Sequence, residues 1–190
     1  MTHQQGASLI EVLVAIIVLS FGLLGMVGMQ LMALQVNRDA RLQSTAVALA
    51  GELAEMMRGN KSVALQAAAG NPYLGDFESP LEPKTASYCL SVNSSCATAT
   101  DVASSEMTEW LARVDDALPQ ARVEICKDAA PYDSDGLPQW DCTSTSSAPA
   151  VIKIGWSRMT TKIDSGVSAQ RLDRATRPSV VVPVTAGSAG

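Results

Sequence analysis

The sequence predicts an α+β fold in which a long N-terminal helix, membrane-spanning in its first half, packs against a small antiparallel β-sheet. Three observations carry this. An apolar run from Val12 to Met29 contains no charged side chain and leads into an amphipathic pattern that no proline interrupts between residues 7 and 71. Alternation at period two marks Arg122–Lys127 and Val151–Arg158 as strands. Four cysteines, Cys89, Cys96, Cys126 and Cys142, all lie downstream of the helix, as in a small domain stapled by disulfides.

The helix comes first. Within Val12–Met29 the only polar side chain is Ser20. Eighteen residues at ~1.5 Å each span about 27 Å, close to the ~30 Å hydrocarbon core of a bilayer. From Asp39 to Arg58 the pattern becomes amphipathic. Leu42, Ala46, Leu49, Leu53 and Met56 recur at spacings of three and four. Gly59-Asn60 is the first strong break, so one helix is expected from about residue 8 to residue 58. Gly22, Gly25 and Gly28 form no G-x-x-x-G pair. Each lowers helix stability in water by roughly 1 kcal/mol.

Glu11 stands at the start of the apolar run, where a lone carboxylate is costly. It reads either as an interfacial residue or as a charge awaiting a positive partner inside an assembly. Ahead of it, a secretory signal would show a positive region, a short apolar core and a small-residue cleavage site after that core. Here the small pair, Gly6-Ala7, precedes the apolar segment, and the residues before it contain no Lys or Arg. A cut at that pair would leave the apolar segment attached.

About 130 residues follow the helix, enough for one small domain. Net charge is −5, from 14 basic and 19 acidic residues, and aromatic residues are few. With no basic patch, nucleic acid is not an expected partner. Residues 62–70 suggest a short helical turn ending at Gly70, and residues 71–83, with three prolines, read as loop. Tyr88–Val92 reads as a short strand or as a loop held by Cys89. Asn93-Ser94-Ser95 matches the glycosylation pattern but reads as a turn. A second helix, capped by Ser104 or Ser105 with Glu106 in its first turn, should present Met107, Trp110, Leu111, Val114 and Leu118 on one face and end at Pro119. In the sheet, Val123 and Ile125 share a face, as do Ile152, Ile154 and Trp156. Ser179–Val182 lies between Pro178 and Pro183, which favour an edge strand.

Four cysteines allow three connectivities; nearest-neighbour pairing, Cys89–Cys96 and Cys126–Cys142, is expected. A metal site and other cofactors are not. There is no C-x-x-C, and the one histidine, His3, precedes the apolar run. Asp133-Ser134-Asp135-Gly136 could open a calcium loop, yet the full ligand pattern is missing and a turn is the expected reading. Asp115, Asp116 and the pair Glu106/Glu109 are expected to be solvated. No G-x-S-x-G and no phosphate-cradling glycine loop occurs, so no enzymatic activity is expected.

Gly6-Ala7-Ser8-Leu9-Ile10-Glu11-Val12 and the run behind it resemble the type IV pilin superfamily. Residues 104–158, with Trp110, Val123–Cys126, Cys142 and Val151–Trp156, are similar to PilV-type minor pilins, as is Ser20–Gly28. Two positions depart from the superfamily pattern: Ala7 replaces the usual Phe, and the leader lacks its usual Lys or Arg. The resemblance implies a leader over 1–6, cut by a prepilin peptidase after Gly6 with methylation of Ala7, and an assembly role for Glu11. It implies a helix over 7–58 and a periplasmic domain over 59–190. It also implies a structural subunit, held in the inner membrane by a single pass, that helps initiate the type IV pilus and is incorporated into it. Its partners would be other minor pilins, the major pilin and the inner-membrane assembly machinery. The same N-terminal motif occurs in minor pseudopilins of type II secretion, the alternative function. In major pilins of this superfamily a proline falls where Gly28 lies, so local melting and plain helix packing both remain open there.

Overall fold

The computed structural model describes residues 9–145, 148–159, 172–173 and 176–185. The architecture is α+β, as expected. Helix α1 runs Leu9–Gly59, and its first turn carries Glu11. The chain divides into two compact units between Arg41 and Leu42.

In the first unit, the described residues 9–41 are helical and exposed throughout. In the second, residues 42–59 start the core. The buried positions are Ala46, Ala50, Leu53, Ala54 and Met57, while Leu42, Leu49 and Met56 are only partly buried. The core stripe is therefore rotated from the expected one toward alanines. Small side chains let other elements approach the helix backbone closely, and Trp110 Nε1 donates to Leu49 O at 2.9 Å.

A short helix, α2 (Lys61–Ala64), follows. Buried Asn71 organises the next bend: its Nδ2 donates to Val63 O at 3.0 Å and its Oδ1 accepts from Tyr73 N at 3.0 Å. Helix α3 runs Ala99–Ala117, starting well before the expected Ser104 or Ser105. Thr98 is the true cap. Its Oγ1 accepts from Asp101 N at 3.1 Å and its own N donates to Asp101 Oδ2 at 2.9 Å, a reciprocal capping box. Ser104 instead back-bonds to Thr100 O at 3.0 Å. Met107, Trp110, Leu111, Val114 and Leu118 are all fully buried, as their spacing predicts.

The main sheet joins β1 (Gly75–Glu78), β2 (Arg122–Lys127), β3 (Ala150–Gly155) and β6 (Val180–Val184), in that spatial order and antiparallel throughout. A two-residue pair, β4 (Arg158–Met159) with β5 (Leu172–Asp173), is separate. Strand β1 corrects the loop reading of residues 71–83. Only Phe77 of its four residues is buried, so it offers no apolar alternation to read. Strand β6 is an edge strand containing Pro183, where a missing N–H is tolerated. Residues 88–92 form a turn-rich loop and no strand.

Register explains the two faces of the sheet. Val123 pairs with Ile154 and Ile125 with Ile152, which in turn pair with Val180 and Val182. This face joins the helical residues in one core with Trp156. On the other face Glu124 sits opposite Lys153 and Cys126 opposite Val151.

Candidate functional site

Two places could carry function: the apolar segment of α1 and the second face of the sheet. The α1 segment has a mean hydropathy of 2.6 in its most apolar window, and none of that window is buried. By length and composition it can cross a membrane. Ser20 Oγ donates to Ile16 O at 2.7 Å, so its hydroxyl needs no water. That suits a hydrocarbon environment, where every polar group must find a partner within the protein. A Cβ added at Gly22, Gly25 or Gly28 would meet nothing within 4 Å, and the helix continues through all three. Glu11 lies in the first turn, where the helix N-terminus favours negative charge. Gly6 and Ala7 lie outside the described residues.

In the second unit the disulfides are Cys89–Cys96 and Cys126–Cys142. The first closes a turn around Asn93, whose φ is +67°. This loop docks on α3: Leu90 N donates to Ser105 Oγ at 3.3 Å and Ser87 N to Thr108 Oγ1 at 3.0 Å. Ser105, expected as a helix cap, thus serves as a buried docking hydroxyl.

Beneath the second disulfide lies a feature that sequence reading missed. Lys153 is fully buried, and its Nζ pairs with the equally buried Asp128 at 2.7 Å. The signal available was a lysine between two isoleucines in a central strand. Alternation alone assigns that position to solvent. Burial pushes the Asp128 carboxyl up, but the adjacent Lys153 ammonium and hydrogen bonds from Ala130 N and Thr143 N outweigh it, so its pKa lies below the ordinary value. Glu124 is held above its ordinary value by burial and by Asp76, partly offset by Arg122 and Lys153.

Asp133, Glu106 and Asp115 have structural partners, whereas Glu109 and Asp116 are exposed. Asp133 Oδ1 accepts from Asp135 N at 3.0 Å and Leu137 N at 2.9 Å, with Gly136 at φ +75°, and its Oδ2 pairs with Arg177 at 2.6 Å. The 133–136 segment is a turn built on an aspartate side chain. Glu106 accepts a hydrogen bond from the buried Tyr73 hydroxyl. Asp115 accepts one from Ser79 Oγ at 2.6 Å. Both are half-buried, which corrects the expectation that they are solvated. Glu124, Cys126 and Cys142 bring three donor atoms within 4.8 Å of one another. Both sulfurs are joined in a disulfide, so neither is a thiolate able to bind a metal.

Residues 1–27 match the family defined as the prokaryotic N-terminal methylation motif. Over those residues the chain is similar to type IV pilin-like prepilins. No curated protein and no solved structure matches the chain.

Proposed function

We propose that the chain is a minor pilin, a structural subunit of the PilV type that helps initiate the type IV pilus and is then incorporated into it. The observation that carries this reading is the match of residues 1–27 to the methylation motif. It is supported by the exposed apolar segment of α1 and by the α+β unit built on residues 42 onward. In this reading a prepilin peptidase cuts between Gly6 and Ala7 and the new amine is methylated. The apolar segment then holds the subunit in the inner membrane, with residues 59–190 in the periplasm. Other minor pilins, the major pilin and the assembly machinery are its partners, and its role is structural with no catalysis.

Glu11 gives this reading a mechanism. An unpaired carboxylate in apolar surroundings is costly, and a positive group delivered to it removes that cost. The amine freed at Ala7, or that of a neighbouring subunit, is such a group. Pairing would fix the axial register of one helix against the next.

Deletion of the gene tests the function. Loss of surface pili with normal protein secretion is the expected result. Loss of secretion with normal piliation would instead identify a minor pseudopilin of type II secretion. Intact mass of the protein from native membranes tests processing. A mature chain beginning beyond residue 12, or normal cleavage of Gly6→Leu, would refute the assigned cut.

A further inference from the structure

Lys153 occupies the middle of β3, a central strand, and is fully buried. Lys153 Nζ forms an ion pair with Asp128 Oδ2 at 2.7 Å and donates hydrogen bonds to Asp141 O at 2.7 Å and Trp140 O at 3.1 Å. Cys142 Sγ lies 3.8 Å from the same nitrogen. Asp128 carries the network further, its Oδ1 accepting from Ala130 N at 2.9 Å and Thr143 N at 3.0 Å. The residues gripped are therefore 128 and 130, just after Cys126, and 140, 141 and 143, on both sides of Cys142. Register places Lys153 and Cys126 on the same face of the sheet, through the pairs Glu124–Lys153 and Cys126–Val151.

We propose that Lys153 and Asp128 form a non-covalent clasp that closes the 126–142 loop independently of its disulfide. The loop is then docked on the sheet before the bond forms and stays docked if the bond is reduced. The clasp acts on the cysteines by position. It holds two thiols side by side and so raises their effective concentration for each other. It does not act by simply favouring a thiolate, because two opposite charges face the sulfur. Glu124 Oε1 lies 3.1 Å from Cys142 Sγ, opposing the Lys153 ammonium. Because coupling is reciprocal, the disulfide strengthens the clasp by the factor by which the clasp strengthens the disulfide.

A low-molecular-weight disulfide such as oxidised glutathione supplies the oxidation. One cysteine thiolate attacks it, forming a mixed disulfide and releasing one glutathione; the second cysteine displaces the other. The glutathione S–S bond breaks, the Cys126–Cys142 bond forms, and two protons pass to the two glutathione thiols.

Cys89–Cys96 is an internal control, since its loop docks on α3 through Ser105 and Thr108. The full chain in detergent micelles is equilibrated across a series of reduced-to-oxidised glutathione ratios. After thiol alkylation, mass spectrometry gives the oxidised fraction of each pair. Lys153→Met should lower the effective concentration of the 126/142 pair on the order of 100-fold, since a buried pair has lost one partner. The 89/96 pair should not change. Adding Asp128→Asn to Lys153→Met removes the unpaired carboxylate and should leave the 126/142 defect in place. In the Cys126→Ser, Cys142→Ser protein, the amides of Ala130 and Thr143 should stay protected from hydrogen exchange until Lys153→Met is added. An unchanged 126/142 equilibrium overturns the proposal. So does an equal fall in both pairs, which would make Lys153 a support of the whole fold. Full recovery in the Asp128→Asn combination, or loss of protection in the serine protein alone, also overturns it.

Discussion

Truncating Leu53 tests which side of α1 is core. Leu53 is 0% exposed, whereas Leu49, one turn earlier, is only partly buried. Around Leu53 the buried stripe is mostly alanine, at 46, 50 and 54, with Met57 the other large side chain. Alanine neighbours cannot extend into a vacated space, so the cavity would persist. Leucine-to-alanine changes in cores cost about 2–5 kcal/mol, with the high end where the site cannot collapse; about 3–5 kcal/mol is therefore expected for Leu53→Ala. At ~2–4 °C per kcal/mol for a chain of this size, the melting temperature should fall by roughly 6–20 °C. Leu49→Ala should cost about 1–2 kcal/mol, because less of its surface leaves water. The carbonyl that accepts from Trp110 Nε1 is backbone and survives that change. Leu24→Ala, at a residue 69% exposed, should leave the melt unchanged. The assay is thermal unfolding of the full chain in detergent, followed by near-ultraviolet circular dichroism of the buried Trp110 and Trp156. A loss in Leu49→Ala equal to or larger than that in Leu53→Ala would refute the rotated stripe.

Three further outcomes are expected. Thr98→Ala should cost about 1 kcal/mol and raise hydrogen exchange at Asp101, whereas Ser105→Ala should loosen the 89–96 loop and leave the helix start intact. Asp128 has a folded pKa below its ordinary 3.8, so its stabilisation is present above about pH 4 and is lost as pH falls through the lowered value. The raised pKa of Glu124 acts in the opposite sense, its contribution being present below 4.5 and lost as pH rises through the folded value. Urea midpoints of wild type and Asp128→Asn should accordingly differ most near pH 6 and converge toward pH 2; a constant difference would contradict the assignment. Under the proposed function, Glu11→Gln protein should be cleaved, inserted and folded yet poorly recruited. Site-directed crosslinking between its helix and the pilin helices that the proposal names as partners, scored against membrane level, checks this, and unchanged crosslinking would show that apolar packing alone sets register.

The helices and inner strands were legible because their side chains face one environment at a time. Met107, Trp110, Leu111 and Val114 repeat at helical spacing and meet a single core, and Val123 with Ile125 does the same at period two. Where the sequence misled, a second surface was involved. The helix start at Thr98 lay in a stretch rich in Ser and Thr, where Ser104 and Ser105 offer equally good capping chemistry. Only the Thr98–Asp101 pair has the reciprocal geometry. Strand β1 pairs through its backbone with β2 while Asp76 and Glu78 face solvent. Its membership in the sheet is a property of the β2 edge more than of its own residues. Of the proposed processing site, Gly6 and Ala7 are legible as a motif but lie outside the described residues.

Lys153 shows how a polar residue can mark a core. Every residue of β3 is buried, so the strand has two interior faces, yet only one is apolar. A lysine can occupy the other because the chain from Asp128 to Cys142 brings one carboxylate against its charge and two backbone carbonyls onto its N–H donors. Replacing it with a purely apolar side chain would bury as much surface. It would leave the carbonyls of Trp140 and Asp141 without their ammonium donor, and nothing in apolar contact would fix which loop covers the sheet. Satisfied buried polar groups are directional in a way apolar packing is not. The cost of burying Lys153 is thus offset by a geometry that admits one loop path, the path that sets Cys142 beside Cys126.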